Sequence, residues 1–201
     1  MEREAKKVFS AHNLAFFAVL TALVIALQLF ASGIKIGAVT LNFSLLPIVL
    51  GAIILGPVYG GALGVISGLI VFFAGLTGAD GFTFILIANH PVLTFLLCIL
   101  KTGLAGVVSG LLYMALRNKH RFVALIAASG VVPVVNTGLF IVGALMMSGT
   151  LKANFVQDGQ SVMYFLVVIC AGVNFILEFT INLVLAPVLK QVVRIVSNGK
   201  Y

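Results

Sequence analysis

Charge is what this chain has least of. Only 8 % of its 201 residues are charged, whereas a soluble domain carries about 25 %. Acidic residues are the scarcer kind, five against twelve Lys and Arg. Tryptophan is absent, and there are only two cysteines, Cys98 and Cys170, both inside apolar runs. That placement excludes a disulfide framework and a cysteine metal cage. The chain has no G-x-x-x-x-G-K-[ST] phosphate loop and no H-E-x-x-H pair, so nucleotide hydrolysis and a zincin-type centre have no residues to work with. What the chain has in abundance is apolar surface, 62 % hydrophobic residues and a mean hydropathy of +1.24. No soluble fold of this length hides that much, because a folded exterior must still meet water. The bilayer is the remaining solvent.

At roughly 20 residues per transmembrane helix, this composition supports about six spans and little else. The apolar segments fall at about 13–32, 42–55, 57–76, 91–116, 122–147 and 161–189. The expected fold is an all-α integral membrane protein, a single six-helix transmembrane domain over residues 1–201. The first apolar run is too long for a signal peptide and no A-x-A-like site ends it, so it is read as a span. Loops are expected at 33–41, 77–90 and 148–160, with turn signals at Asp80-Gly81 and Asp158-Gly159.

The net charge of +7 reads as topology rather than as nucleic-acid affinity, because the bases flank apolar runs. Arg3, Lys6 and Lys7 precede the first span, Arg117, Lys119 and Arg121 follow the fourth, and Lys190, Arg194 and Lys200 follow the sixth. Six spans put these nine on one side, leaving Lys35 and Lys152 opposite and Lys101 within the membrane. Five or seven spans would scatter them. Both termini are therefore expected in the cytoplasm.

Small residues recur at helical spacing. Gly60, Gly64 and Gly68 line the third span, and Gly103, Gly106 and Gly110 line the fourth. Such rows let helix backbones approach closely in lipid, and internal packing is their expected role. Ala18, Ala22 and Ala26 form a similar stripe on the first span, open to either internal packing or docking of a partner's helix.

Ionisable groups within spans are costly and mark candidate functional positions. Lys101 and Glu178 stand out. His90, Thr94 and Lys101 share one face of the fourth helix within about 40°, opposite its glycines. Asn174, Glu178 and Asn182 recur every four residues on the sixth span, and Asn136 lies three residues after Pro133 on the fifth. Depth counting places Lys101, Asn136 and Glu178 near the midplane and Asn42, Asn89 and His90 at an outer mouth. Two readings are open: a buried Lys101–Glu178 ion pair that neutralises two charges, or a polar cavity open to the outside. Helix-capping for His90 and a packing hydrogen bond for Asn182 compete with ligand contact.

The sequence resembles the substrate-capture (S) components of energy-coupling-factor (ECF) vitamin transporters over its whole length. The likeness rests on the six-span plan, the A-x-x-x-A repeat, and Leu41-Asn-Phe-Ser-Leu-Leu-Pro47 leading to Leu55-Gly-Pro-Val-Tyr-Gly60. Asn89-His-Pro91, Leu100-Lys-Thr-Gly103 and Val131-Val-Pro-Val-Val-Asn-Thr-Gly138 complete it. The resemblance implies a vitamin bound in the outer half of the bundle beneath the loop between the first two helices. It implies docking of Ala18, Ala22 and Ala26 on a coupling transmembrane subunit driven by two ATP-binding-cassette ATPases, in a prokaryotic plasma membrane, with toppling of the S component to release cargo. No cofactor or metal is expected.

The overall look is closest to the pantothenate-type branch. Lys101 suits a carboxylate, and Asn136 and Asn174 suit hydroxyl or amide groups. Without tryptophan, only phenylalanines and Tyr164 could stack on a large ring such as riboflavin's. The expected substrate contacts are thus Asn42, Asn89, His90, Lys101, Asn136, Asn174 and Glu178. The main rival is a stand-alone ion- or proton-coupled transporter, for which inverted repeats are not evident. An intramembrane enzyme lacks a nucleophile–base pair, since His12, His90 and His120 sit at or beyond the membrane edges.

Overall fold

A computed structural model describes residues 11–31, 35–36 and 39–196. Arg3, Lys6, Lys7 and Lys200, and residues 33, 34, 37 and 38 of the first expected loop, lie outside the described residues. Helix α1 is Ala11–Ala31, followed by a two-residue antiparallel ladder of β1 (Lys35–Ile36) and β2 (Val39–Thr40). Then come α2 (Leu45–Ile54), α3 (Pro57–Leu76), α4 (Gly81–Asn89), α5 (Pro91–Leu116), α6 (Arg121–Leu145) and α7 (Ser148–Asn154). Helix α8 runs Val162–Val184 and α9 Ala186–Val196. The described residues thus form a helical bundle with one minimal hairpin.

Helices α1, α3, α5, α6 and α8 are long and apolar enough to cross a membrane. The sequence leads one to expect a sixth span at about 42–55, but α2 is only ten residues. At ~1.5 Å per residue it is about 15 Å long, half a hydrocarbon core. Its apolar run is spent partly on the non-helical stretch 41–44. The expected loops 77–90 and 148–160 also differ, since each contains a short helix.

Local chemistry explains where elements start. Gly56, at φ 104°, occupies the left-handed region that favours glycine, and Pro57 opens α3 with its fixed φ. Pro91 opens α5 in the same way. Asp80, expected as a turn residue, is the N-cap of α4: its carboxylate accepts from Thr83 N (3.5 Å) and Thr83 Oγ1 (2.7 Å). Ser161 caps α8 by accepting from Tyr164 N at 3.1 Å. Within α8, Phe165–Gly172 is π-helical, a wider winding that often sits at functional sites.

The α3–α5 interface is built from the two glycine rows. A Cβ at Gly64 would stand 2.2 Å from Thr102 O, one at Gly106 2.2 Å from Gly60 O, and one at Gly68 2.2 Å from Cys98 O. Backbone therefore touches backbone, and Thr102 Oγ1 donates across the contact to Gly64 O at 2.6 Å. The expected internal packing of the glycines is what the structure contains. Two apolar cores fill the bundle. One, around Leu45, Ile48, Tyr113, Ala128 and Leu189, lies toward the end bearing the Arg117–Arg121 turn. The other, around Phe82, Leu97, Phe140, Met147, Leu166 and Cys170, lies toward the end bearing α4 and α7. Lys190 Nζ sits 5.2 Å over the Phe122 ring, so α9 joins the basic turn, while Lys152 is on α7 at the other end.

Candidate functional site

Between the two cores, polar side chains gather where four elements meet. Asn42 precedes α2, Lys101 comes from α5, Asn136 from α6, and Asn174 and Glu178 from α8. Together with Thr40, Thr137, Phe140, Cys170 and Ala171 they line one pocket with an empty volume of about 360 Å³, its mouth included. Five of the seven expected contact residues are thus brought together. Helical phase does this on α5, where the glycine face is turned to α3 and Lys101 to the opposite side. On α6, Pro133 lacks the N–H that would bond Ser129 O, which loosens the turn leading to Asn136. On α8 the π-helical winding ends just before Asn174 and sets the phase of Cys170, Asn174 and Glu178.

Several of the pocket's polar groups are placed by specific partners. Glu178 Oε1 accepts the backbone N–H of Asn42 at 2.9 Å. Lys101 Nζ stands 5.3 Å from the centroid of the Phe140 ring, a cation–π distance. Among the described residues no ion pair within 4.0 Å joins Lys101 to Glu178, so the two charges line the pocket without closing on each other. Asn174 Nδ2 donates to Cys170 O at 3.1 Å and Asn182 Nδ2 to Glu178 O at 2.8 Å. Asn182 is outside the pocket lining, tied to its own helix. Asn136 is 5 % exposed and its Oδ1 has no hydrogen-bond partner among the described residues. A buried carbonyl oxygen left so is destabilising by about 1–3 kcal/mol until a donor arrives. The pocket therefore presents a cation, a carboxylate and an unfilled acceptor.

Three expectations need correction. Asn42 is not at an outer mouth: its N–H reaches Glu178, so the 41–44 stretch descends into the bundle and carries Asn42 to the depth of the carboxylate. His90 and Asn89 do not line the pocket. His90 Nε2 pairs with Thr150 Oγ1 of α7 at 3.0 Å, and Asn89 Nδ2 donates to Ile85 O at 2.9 Å. Thr94, on the same face of α5, donates to His90 O at 2.8 Å and lies 3.7 Å from Met147 Sδ. That face is covered by α7 and the apolar residues before it, which closes the mouth expected there.

Sequence reasoning did not find Thr40, Thr137, Phe140, Cys170 or Ala171. Two of them were within reach: Phe140 is one turn beyond Asn136 and Cys170 one turn before Asn174, on the faces already marked. A larger cavity lies between Gln28 and Leu29 of α1, Thr40, the Ile70, Phe73 and Thr77 side of α3, and Asp80. Its lining is chiefly apolar, and its one carboxylate, Asp80, is already held by Thr83. It offers little to orient a polar ligand.

The alanine stripe has an unambiguous position. Leu20, Val24 and Gln28 form the buried edge of α1, and Ala18, Ala22 and Ala26, about 200° away, are all exposed. Among the described residues they are not part of the buried interior. Comparison with curated proteins gave no match. A family model described as ECF transporter, substrate-specific component matches residues 12–190. That match runs from α1 into α9 and encloses the whole pocket, and the chain accordingly belongs to the family of ECF transporter substrate-specific components, a family of transporters and not of enzymes.

Proposed function

We propose that this chain is the substrate-capturing membrane subunit of an ECF-type importer and that the pocket between its two apolar cores takes a small, water-soluble, carboxylate-bearing vitamin, pantothenate in first place. The observation that carries the reading is the convergence of Asn42, Lys101, Asn136, Asn174 and Glu178 in one pocket of a chain from this family. Lys101 pairs with the carboxylate, and Asn136 Oδ1 accepts from a hydroxyl or amide N–H. Glu178, already holding the Asn42 N–H through Oε1, accepts a second hydroxyl.

Six crossings, with α2 and the apolar stretch before it together making the second, place the Arg117–Arg121 and Lys190 end in the cytoplasm of a prokaryotic cell along with both termini. Energy comes from outside the chain, through a coupling transmembrane subunit and two ABC ATPases. Exposed small residues suit close, reversible helix contact, and Ala18, Ala22 and Ala26 are the docking face. His90 fastens the α4–α5 corner to α7 and Asn89 bonds back onto its own helix, rather than touching the substrate.

The test is thermal unfolding of the purified protein against a vitamin panel, read by a thiol-reactive dye at Cys98 and Cys170, both buried until the fold opens. A ligand at 100 times its Kd stabilises by about 2.7 kcal/mol. A shift with pantothenate is expected. A shift with a different vitamin replaces the substrate and keeps the subunit role. No shift with any vitamin, in folded protein, removes the reading and favours an ion-coupled transporter.

A further inference from the structure

A row of buried hydrogen bonds leaves the pocket and ends on α1. Ser44 Oγ donates to Asn42 Oδ1 at 2.5 Å. Ser44 Oγ and Ser67 Oγ are 2.6 Å apart, and Ser67 Oγ lies 3.5 Å from Gln28 Oε1. Ser44 and Ser67 are fully buried, Asn42 is 7 % and Gln28 6 % exposed. The row joins the pre-α2 stretch, α3 and α1, and at its pocket end the same Asn42 gives its N–H to Glu178.

Counting protons shows that this row has two arrangements. Each serine has one hydroxyl proton. Ser44 gives its proton to Asn42, so the 2.6 Å contact requires Ser67 to give its own to Ser44. Gln28 Oε1 is then left with a remote share across 3.5 Å, beyond the usual O–H···O range of roughly 2.5–3.0 Å. If a donor from a ligand in the pocket displaces Ser44 from Asn42 Oδ1, Ser44 is free to turn and donate to Ser67. Ser67 then donates outright to Gln28. No atom is added or lost, and two hydroxyls rotate.

We infer that Asn42, Ser44, Ser67 and Gln28 form a hydroxyl relay in which ligand contact at Asn42 reverses the serine hydroxyls and tightens the hold of Ser67 on Gln28, and so on α1. Ser44, Ser67 and Gln28 are positioning residues, since none of the three lines the substrate pocket. Gln28 is on the buried edge of α1, about 200° from its alanine face. Pocket occupancy and the seating of that face are therefore coupled. The consequence for docking rests on the importer reading, but the relay does not, and it is testable without vitamin or partner.

Asn42→Leu removes the acceptor that holds the relay in its first arrangement, so it mimics capture of Asn42 while leaving the backbone N–H on Glu178. The readout is the N-ethylmaleimide labelling rate of Val24→Cys, on the buried edge of α1, in a Cys98→Ala/Cys170→Ala background. Asn42→Leu is expected to slow labelling about fivefold, the lower range of site-to-site coupling. Adding Gln28→Met is expected to abolish that slowing, and Ser67→Ala alone to speed labelling. A merely structural role for Asn42 predicts the opposite sign, since losing a buried hydrogen bond would loosen α1. Faster or unchanged labelling in folded Asn42→Leu protein, or slowing that survives Gln28→Met, overturns the relay. Should Asn42→Leu not fold, Ser67→Ala decides: a labelling rate equal to that of the parent overturns it. None of these results bears on which vitamin binds, so the relay and the importer reading fail separately.

Discussion

Gly64→Ala should be among the most damaging single-methyl additions to this bundle. The added Cβ would stand 2.2 Å from Thr102 O, 2.5 Å from Thr102 C and 2.8 Å from Gly103 Cα. All three are backbone atoms of α5, so no side-chain rotation relieves the clash and the helices must separate by roughly 1 Å to reach ordinary contact distances. Overpacking of this kind destabilises by about 1–3 kcal/mol. Separation also stretches the 2.6 Å hydrogen bond from Thr102 Oγ1 to Gly64 O, worth about 0.5–1.5 kcal/mol. The sum is about 1.5–4.5 kcal/mol. For a chain of this length each kcal/mol moves Tm by about 2–4 °C, so a fall of roughly 3–18 °C is expected. Gly138→Ala on α6 is the matched control, because nothing lies within 4 Å of its Cβ position. There the helix gains about 0.5–1 kcal/mol from the loss of glycine's backbone freedom. Thermal unfolding in detergent measures both. Equal Tm values for the two variants would refute the claim that backbone contact, and not helix propensity, governs the glycine positions.

Lys101→Ala should weaken vitamin binding about 10- to 150-fold, the equivalent of a charge-assisted hydrogen bond of about 1.5–3 kcal/mol; isothermal titration with an unchanged Kd would remove the carboxylate assignment. Ala18→Leu and Ala22→Leu should abolish uptake into vesicles carrying the complete transporter while leaving Kd within about twofold, since both side chains point away from the bundle. Lost binding in these variants would mean that the stripe supports the fold. Asp80→Ala should lower stability by about 0.5–2 kcal/mol through loss of the α4 cap, measured as a Tm shift, with vitamin affinity little altered because Asp80 is not part of the pocket lining.

Punctuation made much of the fold readable. Pro57 and Pro91 stand at the first turns of α3 and α5, where a missing N–H does no harm, and the sequence boundaries at 57 and 91 coincide with the helices. Apolar runs were less informative. Residues 41–55 are nearly all apolar, and hydropathy alone does not separate a helix from an apolar stretch buried against neighbours, so the ten-residue length of α2 had no signal. Asp80-Gly81 has the composition of a turn, yet the same carboxylate serves as an N-cap, and the helix after it went unread. For the pocket, burial penalty was the useful guide: Lys101, Asn136, Asn174 and Glu178 are the groups a bilayer tolerates only with a purpose. His90 misled because its angle was carried back across the start of α5. His90 precedes the helix at φ −140°, ψ 66°, where the helical phase no longer holds.

Small residues serve opposite ends in this chain, and the difference lies in the atom they leave out. On α3 and α5 the backbones are so close that even a methyl has no space, and only glycine permits the contact; such an interface is fixed. On α1 the alanines keep their methyls and are exposed among the described residues. The helix is held instead by a buried edge of Leu20, Val24 and Gln28, flanked by Phe16 and Phe17 packed on the core. Lipid supplies no hydrophobic drive between helices, so close packing and interhelical hydrogen bonds on that edge are what seat α1. The 3.5 Å contact of Gln28 with Ser67 is weak for such a position. A helix that must engage and leave a partner is well served by an anchor this close to the limit of hydrogen bonding, and the shortest polar route from that anchor leads to the pocket.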